Sequence, residues 1–426
     1  MGELAVLRVP TPPLDGRAAI DGRLGELTAL LLRNEPFWRA RPFDGVPLAW
    51  EADHRGLSTW LRRLSPEDAE ALHDEPAGLR DAPGVLPDLV ARVARLTAVG
   101  PLPAAPLAEL PDPIPRVTGR KVLQVQALVA TAESVLPDGV ELLVDWCCGK
   151  GHLGRALSAA RGVVSLGLER DAELCRVGRD IAASTDARCA FLPVDVLDRD
   201  RWPAVPPLRT AVVGLHACGA LTDAAMAFAI EGHARAGIFA PCCFHNLARE
   251  ATFTPRSVSG RAAGIVWDDA TLRLPTLEEV IAPPAVRRRR RQERAWRLGL
   301  DLLVREATGV DAYTPLSAAP NGWHRGDFTA FIDAMARANE LRLPPSWDPA
   351  RAEAAGHARG ALVAALGLVR SQFRRPFELW LVLDRALRLA DGGWEVAAGT
   401  FCAREITPRN LAVVGWHAAA ARERGG

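Results

Sequence analysis

The chain has 426 residues, of which 49% are hydrophobic and 24% charged, and its formal net charge is +1. This length predicts two or three domains with a sizeable core. A net charge so close to zero does not indicate a generally basic nucleic-acid binder, so any charged binding surface must be local. The longest apolar run, near residues 361–369, is too short to span a membrane, and no basic-then-apolar leader opens the chain. These features predict a soluble, cytoplasmic protein.

The first 100 residues carry apolar positions at helical spacing, as at Leu24, Leu27 and Leu31, and Ser65 before Pro66 is typical of a helix start. They contain no catalytic constellation, and we predict a helical N-terminal domain over residues 1–100. Prolines then recur at positions 101, 103, 106, 111, 113 and 115. They predict a stiff linker over residues 101–118.

An alternation of strands and helices begins at residue 119. A helix is predicted over residues 121–135, strands over 142–145, 163–168, 189–194, 210–215 and 237–240, and helix starts near His152, Asp171 and Leu221. This pattern predicts an α/β core with a parallel, doubly wound sheet over residues 119–245. The core resumes over residues 371–420, with a helix at 376–389 and strands at 394–402 and 410–416.

The intervening residues 246–370 are predicted to form a helical insertion, with helices over 286–306, 327–339 and 351–369. The insertion follows the last parallel strand, at the sheet edge where ligands bind in open α/β folds. We therefore interpret it as a substrate lid.

The first predicted strand leads into a glycine-lined turn. Gly149, Gly151 and Gly154 have the spacing G-x-G-x-x-G, and Glu169 lies 20 residues after Gly149, as in a dinucleotide site. However, Asp145 ends the strand four residues before the first glycine. An acid at that position suits a cationic ligand better than a pyrophosphate, and S-adenosylmethionine carries an ammonium and a sulfonium. The turn therefore favours S-adenosylmethionine over NAD.

Three motifs in order resemble those of the class I S-adenosylmethionine-dependent methyltransferases. They read D-W-C-C-G-K-G-H-L-G from Asp145, G-L-H-A-C-G from Gly214 and P-C-C-F-H from Pro241. More narrowly, they resemble a cysteine-rich subgroup. It includes bacterial methyltransferase-domain proteins, the methyltransferase-like part of the glutathione S-transferase C-terminal-domain-containing protein and, more distantly, a tRNA 2'-O-methyltransferase. The resemblance covers residues 119–245 and 371–416, and it implies a Rossmann-like sheet that ends in an antiparallel hairpin. The common family pattern has glycine at the position of Cys147.

The resemblance implies S-adenosylmethionine as cofactor and assigns its contacts. Asp145 is expected to meet the methionine ammonium directly or through water, Glu169 to accept both ribose hydroxyls, and Asp195 to accept from the adenine amino group. Ordinary capping at strand ends is the alternative for these acids. The other predicted cofactor-binding residues are Lys121, Cys147, Gly149, Gly151 and His216.

Cysteines and histidines cluster in the three motifs. With the expected strand order, the ends of the first, fourth and fifth parallel strands converge on one crevice. The candidate catalytic residues there are His216, Cys242, Cys243 and His245, with His216 or His245 as general base. The cysteines alternatively form a small, buried lining. We predict no metal site, because adjacent cysteines cannot easily aim both thiolates at one ion.

A basic run in the insertion bears on the methyl acceptor. It comprises Arg287, Arg288, Arg289, Arg290 and Arg291. Such a run beside a methyltransferase pocket would suit a phosphate backbone, which makes RNA the leading candidate acceptor. Protein and small-molecule acceptors are the alternatives, and so is a non-catalytic protein that binds the cofactor or RNA.

Overall fold

The computed structural model describes residues 11–106, 119–185, 187–247, 252–277, 282–319 and 322–421. The chain divides into two compact units. The first comprises Met1–Leu32, Leu96–Leu277 and Arg375–Gly426, and the second Arg33–Arg95 and Glu278–Arg374. These bounds differ from the domain limits predicted from the sequence, because most of the predicted N-terminal domain and much of the predicted insertion form one unit. Residues 107–118 of the predicted linker lie outside the described residues.

The first unit contains an eight-stranded sheet. Its strands are β1 Leu14–Asp15, β2 Leu142–Trp146, β3 Val164–Glu169, β4 Cys189–Pro193, β5 Thr210–Cys218, β6 Ala236–Cys242, β7 Trp394–Thr400 and β8 Leu411–His417. They lie in the order β1-β7-β8-β6-β5-β2-β3-β4. Strands β2 to β6 pair in parallel, whereas β8 runs antiparallel to both β6 and β7. The predicted doubly wound sheet with an antiparallel C-terminal hairpin is confirmed.

Helices follow the strands at nearly the predicted positions. Those of the first unit are α1 Gly16–Arg33, α6 Arg120–Val135, α7 His152–Arg161, α8 Ala172–Ala183, α9 Ala220–Glu231, α10 Val258–Ala262, α11 Asp269–Arg273, α15 Arg374–Asp391 and α16 Ala418–Ala421. Those of the second unit are α2 Glu35–Arg39, α3 Arg55–Arg62, α4 Pro66–Asp74, α5 Leu86–Thr97, α12 Pro284–Thr308, α13 Phe328–Ala338 and α14 Pro349–Ser371. Helices α1, α5 and α15 extend one or two residues past the unit boundary. None of the described helices is long and apolar enough to cross a bilayer.

The central strands of the first unit are apolar throughout because they are buried in its hydrophobic core. Leu143, Val213, Ile238 and Val414 lie on four neighbouring strands, and all four are fully buried in one cluster with α6 and α7. Parallel strands covered on both faces need such continuous apolar runs. Their carboxyl ends consequently meet at one edge, and β5 and β6 lie next to β2 as predicted.

The outer edge of the sheet was not predicted. The two residues of β1 pair with Ala397 and Ala398 of β7, and Thr400 farther along the same strand exchanges backbone hydrogen bonds of 2.9 Å with Gly100 and Leu102. The first residues of the predicted linker therefore continue the edge of the sheet. A two-residue strand is too short to show an alternating pattern.

Two C-terminal segments, R-P-F-E from Arg375 and T-P-R-N from Thr407, bind each other through Glu378. Its side chain is 2% exposed, and its two carboxylate oxygens lie 2.8 Å from Arg375 and 3.3 Å from Arg409. Arg375 also donates to Asn410, at 2.9 Å. A buried carboxylate requires such paired donors. The network fixes the start of α15 against the segment that enters β8.

The second unit is helical, and its two longest helices, α12 and α14, cross closely. A Cβ atom at Gly356 would lie 2.4 Å from the carbonyl oxygen of Ala295 and 2.9 Å from the nitrogen of Gly299. The buried carboxylate of Asp301 lies 2.9 Å from Arg305 and 3.1 Å from Arg359, which joins the two helices by ion pairs. Only glycine at position 356 allows this approach.

Candidate active site

The turn after β2 has the left-handed conformation that glycines permit. The φ angles are +56° at Gly149 and +66° at Gly151, and Cys147 has +55° as well. The backbone therefore keeps the glycine-like conformation at the position where the family pattern has glycine, although Cys147 carries a Cβ atom. A Cβ atom at Gly149 would meet nothing within 4 Å, whereas one at Gly151 would lie 2.5 Å from the ring of Phe191. Gly149 is thus open to a ligand, and Gly151 is required by packing.

Asp145 is buried at the head of α7. Its Oδ2 accepts a hydrogen bond of 2.8 Å from the backbone nitrogen of Gly154, and the residue is 3% exposed. Burial raises the pKa of Asp145 to about 7, and the Gly154 hydrogen bond and the charges of Arg155 and Lys121 only partly oppose this. A buried carboxylate of this kind gains stability when a cation approaches it. This is the property expected of a partner for the methionine ammonium.

Glu169 ties the end of β3 to the glycine turn. Its Oε2 accepts from the backbone nitrogen of Gly149 and its Oε1 from that of Asp171, both at 3.0 Å. Each carboxylate oxygen can accept a second hydrogen bond, so both remain able to accept from ribose hydroxyls. Asp195 follows β4, and its Oδ1 accepts from the backbone nitrogen of Leu197 at 3.0 Å.

A cavity of about 340 Å³ lies beside the carboxyl ends of the strands, and Asp145 is not among its lining residues. This volume is sufficient for a small-molecule ligand. Three predicted cofactor residues, Cys147, Glu169 and Asp195, line the cavity. Cys218, one of the cysteines predicted to converge on the crevice, also lines the cavity. The sequence reasoning did not identify the remaining lining residues, which are Leu168, Arg170, Val194, Val196, Leu197, Ala220, Leu221 and Asn246.

Among these, Asn246 lies at the cavity because of Gly219. A Cβ atom at Gly219 would lie 2.6 Å from the backbone of Asn246, and the Gly219 nitrogen donates to the carbonyl of Cys242 at 3.1 Å. The glycine therefore allows the segment after β6 to pass directly over the start of α9. The G-L-H-A-C-G and P-C-C-F-H motifs predicted that the ends of β5 and β6 form part of the site. Asn246 itself is identified only by the close contact between Gly219 and the segment after β6.

His216 lies in an irregularity of β5, where the pairing with β6 shifts register between Leu215 and Cys218. Its φ is +62°, and its Nε2 lies 2.7 Å from Oε1 of Gln124 in α6. The amide nitrogen of Gln124 donates to the carbonyl of Ile406 at 3.4 Å, which leaves the amide oxygen facing the imidazole. Nε2 of His216 is therefore the donor, and Nδ1 is left as the acceptor nitrogen. Burial lowers the pKa of His216, so the ring is neutral near pH 7.

His245 lies in the short 3-10 helix Phe244–Asn246 that follows β6. Its Nδ1 is buried, and the described residues offer this nitrogen no hydrogen-bond partner. A buried ring nitrogen without a partner is costly unless a ligand or water meets it. This feature is consistent with its predicted place in the crevice.

The predicted convergence is observed for three of the motif cysteines, whereas Cys148 packs against the cluster of Cys175, Ala182 and Phe191. The sulfur atoms of Cys218, Cys242 and Cys243 lie within 4.8 Å of one another, and those of Cys218 and Cys242 are 3.1 Å apart. Hydrogen bonds from Cys218 and Cys242 lower the pKa of Cys243, and those from Cys218 and Cys243 raise the pKa of Cys242.

Lys121 is exposed in the first turn of α6. Burial is the main reason for the lowered pKa of His216, and the positive charge of Lys121 lowers it further. The lysine is therefore close enough to influence the crevice. Its contact with a cofactor remains a prediction.

Comparisons with known proteins bear on the first unit. Residues 120–250 match the sequence model of a family described as "Methyltransferase domain". This range contains the glycine turn, both crevice histidines and the cysteine group. The site fits the cofactor that class I methyltransferase domains use. It has carboxylates at the ends of β2 and β3 and after β4, an open left-handed glycine and a cavity at the strand ends. The cofactor is S-adenosylmethionine.

No curated protein matches the chain. Among solved structures, it is similar to the magnesium protoporphyrin IX methyltransferase of Synechocystis PCC 6803 with bound SAH, at 18% identity over 32% of this chain and 57% of that chain, with a TM-score of 0.22. It is also similar to the [4+2]-cyclase SpnF, at 21% identity over 36% of this chain and 56% of that chain, with a TM-score of 0.23. A further similar structure is the 16S rRNA methylase RmtB, at 19% identity over 56% of this chain and 85% of that chain, with a TM-score of 0.22. The chain spans little more than half the length of the first two. The strand order and the family match establish the fold, because TM-scores of 0.22 to 0.23 are too low to support it.

Proposed function

We propose that the chain transfers a methyl group from S-adenosylmethionine to a nucleophilic acceptor, with His216 as general base. The observation that carries the proposal is the pairing of His216 with Gln124, which leaves the Nδ1 lone pair of a neutral imidazole available at the end of β5. The bound cofactor supplies an electrophilic methyl group on its sulfonium. The protein has to orient the acceptor in line with that methyl group and to remove its proton.

The residues of the glycine turn hold the cofactor in this proposal. Asp145 faces its ammonium, Glu169 its ribose hydroxyls and Asp195 its adenine amino group, while Gly149 lets the backbone approach. Gly151 and Cys147 shape the turn, and Lys121 contributes positive charge near the crevice. The cavity lined by Glu169 and Asp195 supports these assignments.

His245, Cys242 and Cys243 form the second part of the proposed catalytic crevice. His245 is the alternative base, because its Nδ1 is buried and lacks a partner among the described residues. We assign Cys242 and Cys243, which lie just before it at the end of β6, to the wall of this crevice.

We further assign the chain to the cysteine-rich subgroup of class I methyltransferases and to the cytoplasm. The three motifs that resemble this subgroup all lie at the strand ends around the crevice. All eight cysteines are free thiols, including Cys218 and Cys242, whose sulfur atoms are neighbours. Free thiols in this number suit a reducing compartment.

RNA is the acceptor we favour, bound through Arg287, Arg288, Arg289, Arg290 and Arg291 of α12. Arg287 and Arg291 form ion pairs with Asp74 and Glu70 of the same unit, and Arg288, Arg289, Arg290 and Arg291 are all exposed. Exposed guanidinium groups on one helix suit phosphate oxygens.

A second cavity, of about 280 Å³, supports an anionic partner for this unit. Its lining includes four arginines and two carboxylates: Arg287, Arg291, Arg294, Arg374, Glu70 and Asp74. Burial lowers the pKa of His73 in this cavity to about 4, with a further contribution from Arg374. Four guanidinium groups against two carboxylates in this lining favour an anionic partner such as a phosphate.

The test uses RNA and protein from cells that lack the gene, incubated with the purified full-length chain and S-adenosylmethionine labelled in its methyl group. We expect label in RNA, identified by nuclease digestion and mass spectrometry. His216→Ala should reduce transfer by roughly 10²-fold to 10⁴-fold while cofactor binding persists, and His245→Ala tests the alternative base. Label only in protein would reject the RNA acceptor. Failure of the wild-type chain to bind the cofactor would reject the function altogether.

A further inference from the structure

The sulfur group formed by Cys218, Cys242 and Cys243 has a geometry that the methyl-transfer chemistry does not require. Cys218 and Cys242 are the last residues of neighbouring parallel strands, and they stand opposite each other in the register of β5 and β6. The pairing brings their sulfur atoms to 3.1 Å. Cys243 adds a third sulfur, and all three lie within 4.8 Å of one another.

Consecutive residues of a strand point to opposite faces, so Cys242 and Cys243 would normally direct their sulfurs apart. The strand ends at Cys242, and Cys243 adopts φ +46° and ψ +53°. This left-handed conformation returns the Cys243 side chain to the side of Cys242. This conformation is strained for a non-glycine residue, and such strain is concentrated at functional sites. The geometric objection to adjacent cysteines as joint ligands is thereby removed.

The spacing of the sulfurs suits a thiophilic cation. With Zn–S bonds of about 2.3 Å, two thiolates on one tetrahedral ion are about 3.8 Å apart. The group spans this value, from 3.1 Å for one pair to at most 4.8 Å for any pair. Small side-chain rotations are therefore sufficient for coordination. Three sulfur ligands select soft cations such as Zn²⁺ and Cu⁺ over Mg²⁺ or Ca²⁺.

An ion can also reach the group. Cys218 lines the cavity at the strand ends and, like Cys243, is partly exposed, whereas Cys242 is buried behind them. A site that is open on one side leaves a coordination position for water or another donor. We propose that Cys218, Cys242 and Cys243 bind one thiophilic cation, Zn²⁺ or Cu⁺, through their three sulfur atoms. Each thiol that is still protonated releases its proton to solvent when the cation binds.

The test uses the reduced, metal-free full-length chain and needs neither cofactor nor acceptor. Co²⁺ serves as a spectroscopic substitute for Zn²⁺. We expect sulfur-to-cobalt charge-transfer bands that saturate at one ion per chain and disappear when Zn²⁺ is added. A parallel titration with Cu⁺ against a competing chelator decides which of the two ions binds more tightly.

Variants establish the ligands. Cys218→Ser and Cys243→Ser should each lose the bands and weaken zinc binding at least about tenfold, whereas Cys402→Ser, a partly buried thiol of the same unit outside the group, should keep both. Circular dichroism confirms that each variant is folded, and the wild-type titration requires no variant. The proposal is overturned if the reduced wild-type chain gives no charge-transfer bands, or if Cys402→Ser loses them as completely as Cys218→Ser. Because no methyl transfer is measured, this outcome is separate from the outcome for the proposed function.

Discussion

The backbone nitrogen of Gly149 lies 3.0 Å from Oε2 of Glu169, so the glycine turn after β2 is hydrogen-bonded to the end of β3. The same carboxylate is the expected acceptor for the ribose hydroxyls. In the proposed function Glu169 therefore has two roles, since it holds the turn and accepts hydrogen bonds from the ligand. A substitution there should affect the cofactor site much more than the core.

Glu169→Ala should weaken binding of S-adenosylmethionine about 10-fold to 100-fold, because hydrogen bonds to a charged acceptor contribute roughly 1.5 to 3 kcal/mol. Isothermal titration calorimetry with S-adenosylmethionine and NAD measures this effect. Glu173→Ala, at an exposed carboxylate in α8, is the control and should leave the affinity unchanged. Binding of NAD in place of S-adenosylmethionine would contradict the cofactor assignment.

Asp145→Asn should separate stability from binding. The folded chain holds the Asp145 proton up to pH about 7, whereas the unfolded chain releases it near the ordinary value of 3.8. The contribution of this group to stability is therefore greatest below pH 4 and is lost as the pH rises to 7. The variant has no carboxyl group at this position and does not lose this stability. The free energy of unfolding of the unliganded variant, relative to that of the wild type, should therefore be roughly 2 to 4 kcal/mol higher at pH 8 than at pH 4.

Denaturation by urea between pH 4 and pH 8 checks the stability difference. In the same variant, S-adenosylhomocysteine should bind more weakly at pH 8, because its ammonium loses the carboxylate. Equal affinity of the variant and the wild type would exclude Asp145 as the ammonium partner. The Gly154 hydrogen bond is a built-in control, since the asparagine oxygen can still accept it.

Gln124→Glu should raise the pKa of His216 by about one pH unit or more, since a carboxylate beside an imidazole stabilises its charged form. Methyl transfer near pH 6 should then fall, because the charged ring cannot accept a proton. NMR titration of the ring protons, assigned with His216→Gln, measures the pKa directly. Gln124→Leu removes the hydrogen bond without adding charge and should not raise the pKa. An unchanged pKa in Gln124→Glu would remove Gln124 as the positioning residue.

Replacing Arg288 and Arg289 together with alanine should weaken RNA binding and reduce its dependence on salt. Each released phosphate contact contributes about 0.7 to 0.9 to the slope of log K against log salt, so the slope should fall by roughly 1.4 to 1.8. The matched control changes Arg55 and Arg63, two exposed arginines of the same unit. If both double variants change the slope equally, the basic run of α12 has no special role.

Glu378→Ala should destabilise the first unit by roughly 3 to 5 kcal/mol, because removal of the buried carboxylate leaves two largely covered arginines without a counter-charge. The urea midpoint of the full chain, followed by tryptophan fluorescence, reports the change. Glu395→Ala on β7 is exposed and should have little effect. Similar midpoints for the two variants would show that the Arg375 and Arg409 pairs contribute little.

The sequence alone determined the parallel strands, the C-terminal hairpin and the main helices of the sheet in the first unit. Apolar runs of strand length, helix-start residues such as Asp171 and the spacing of Gly149, Gly151 and Gly154 encode local backbone conformation, which depends mainly on neighbouring residues. These signals predicted the strands β2 to β8 closely and showed that Asp145, Glu169 and Asp195 are at strand ends.

Tertiary structure alone decided which side chains meet. Gln124 and His216 are 92 residues apart, Cys218 and Cys242 are joined only by the register of β5 against β6, and β1 is too short to be predicted without its partner β7. The left-handed backbone at Cys243, which turns its sulfur toward Cys242, follows no glycine signal. Such contacts depend on the sheet register and on the direction of each side chain, and a one-dimensional pattern of residue types specifies neither.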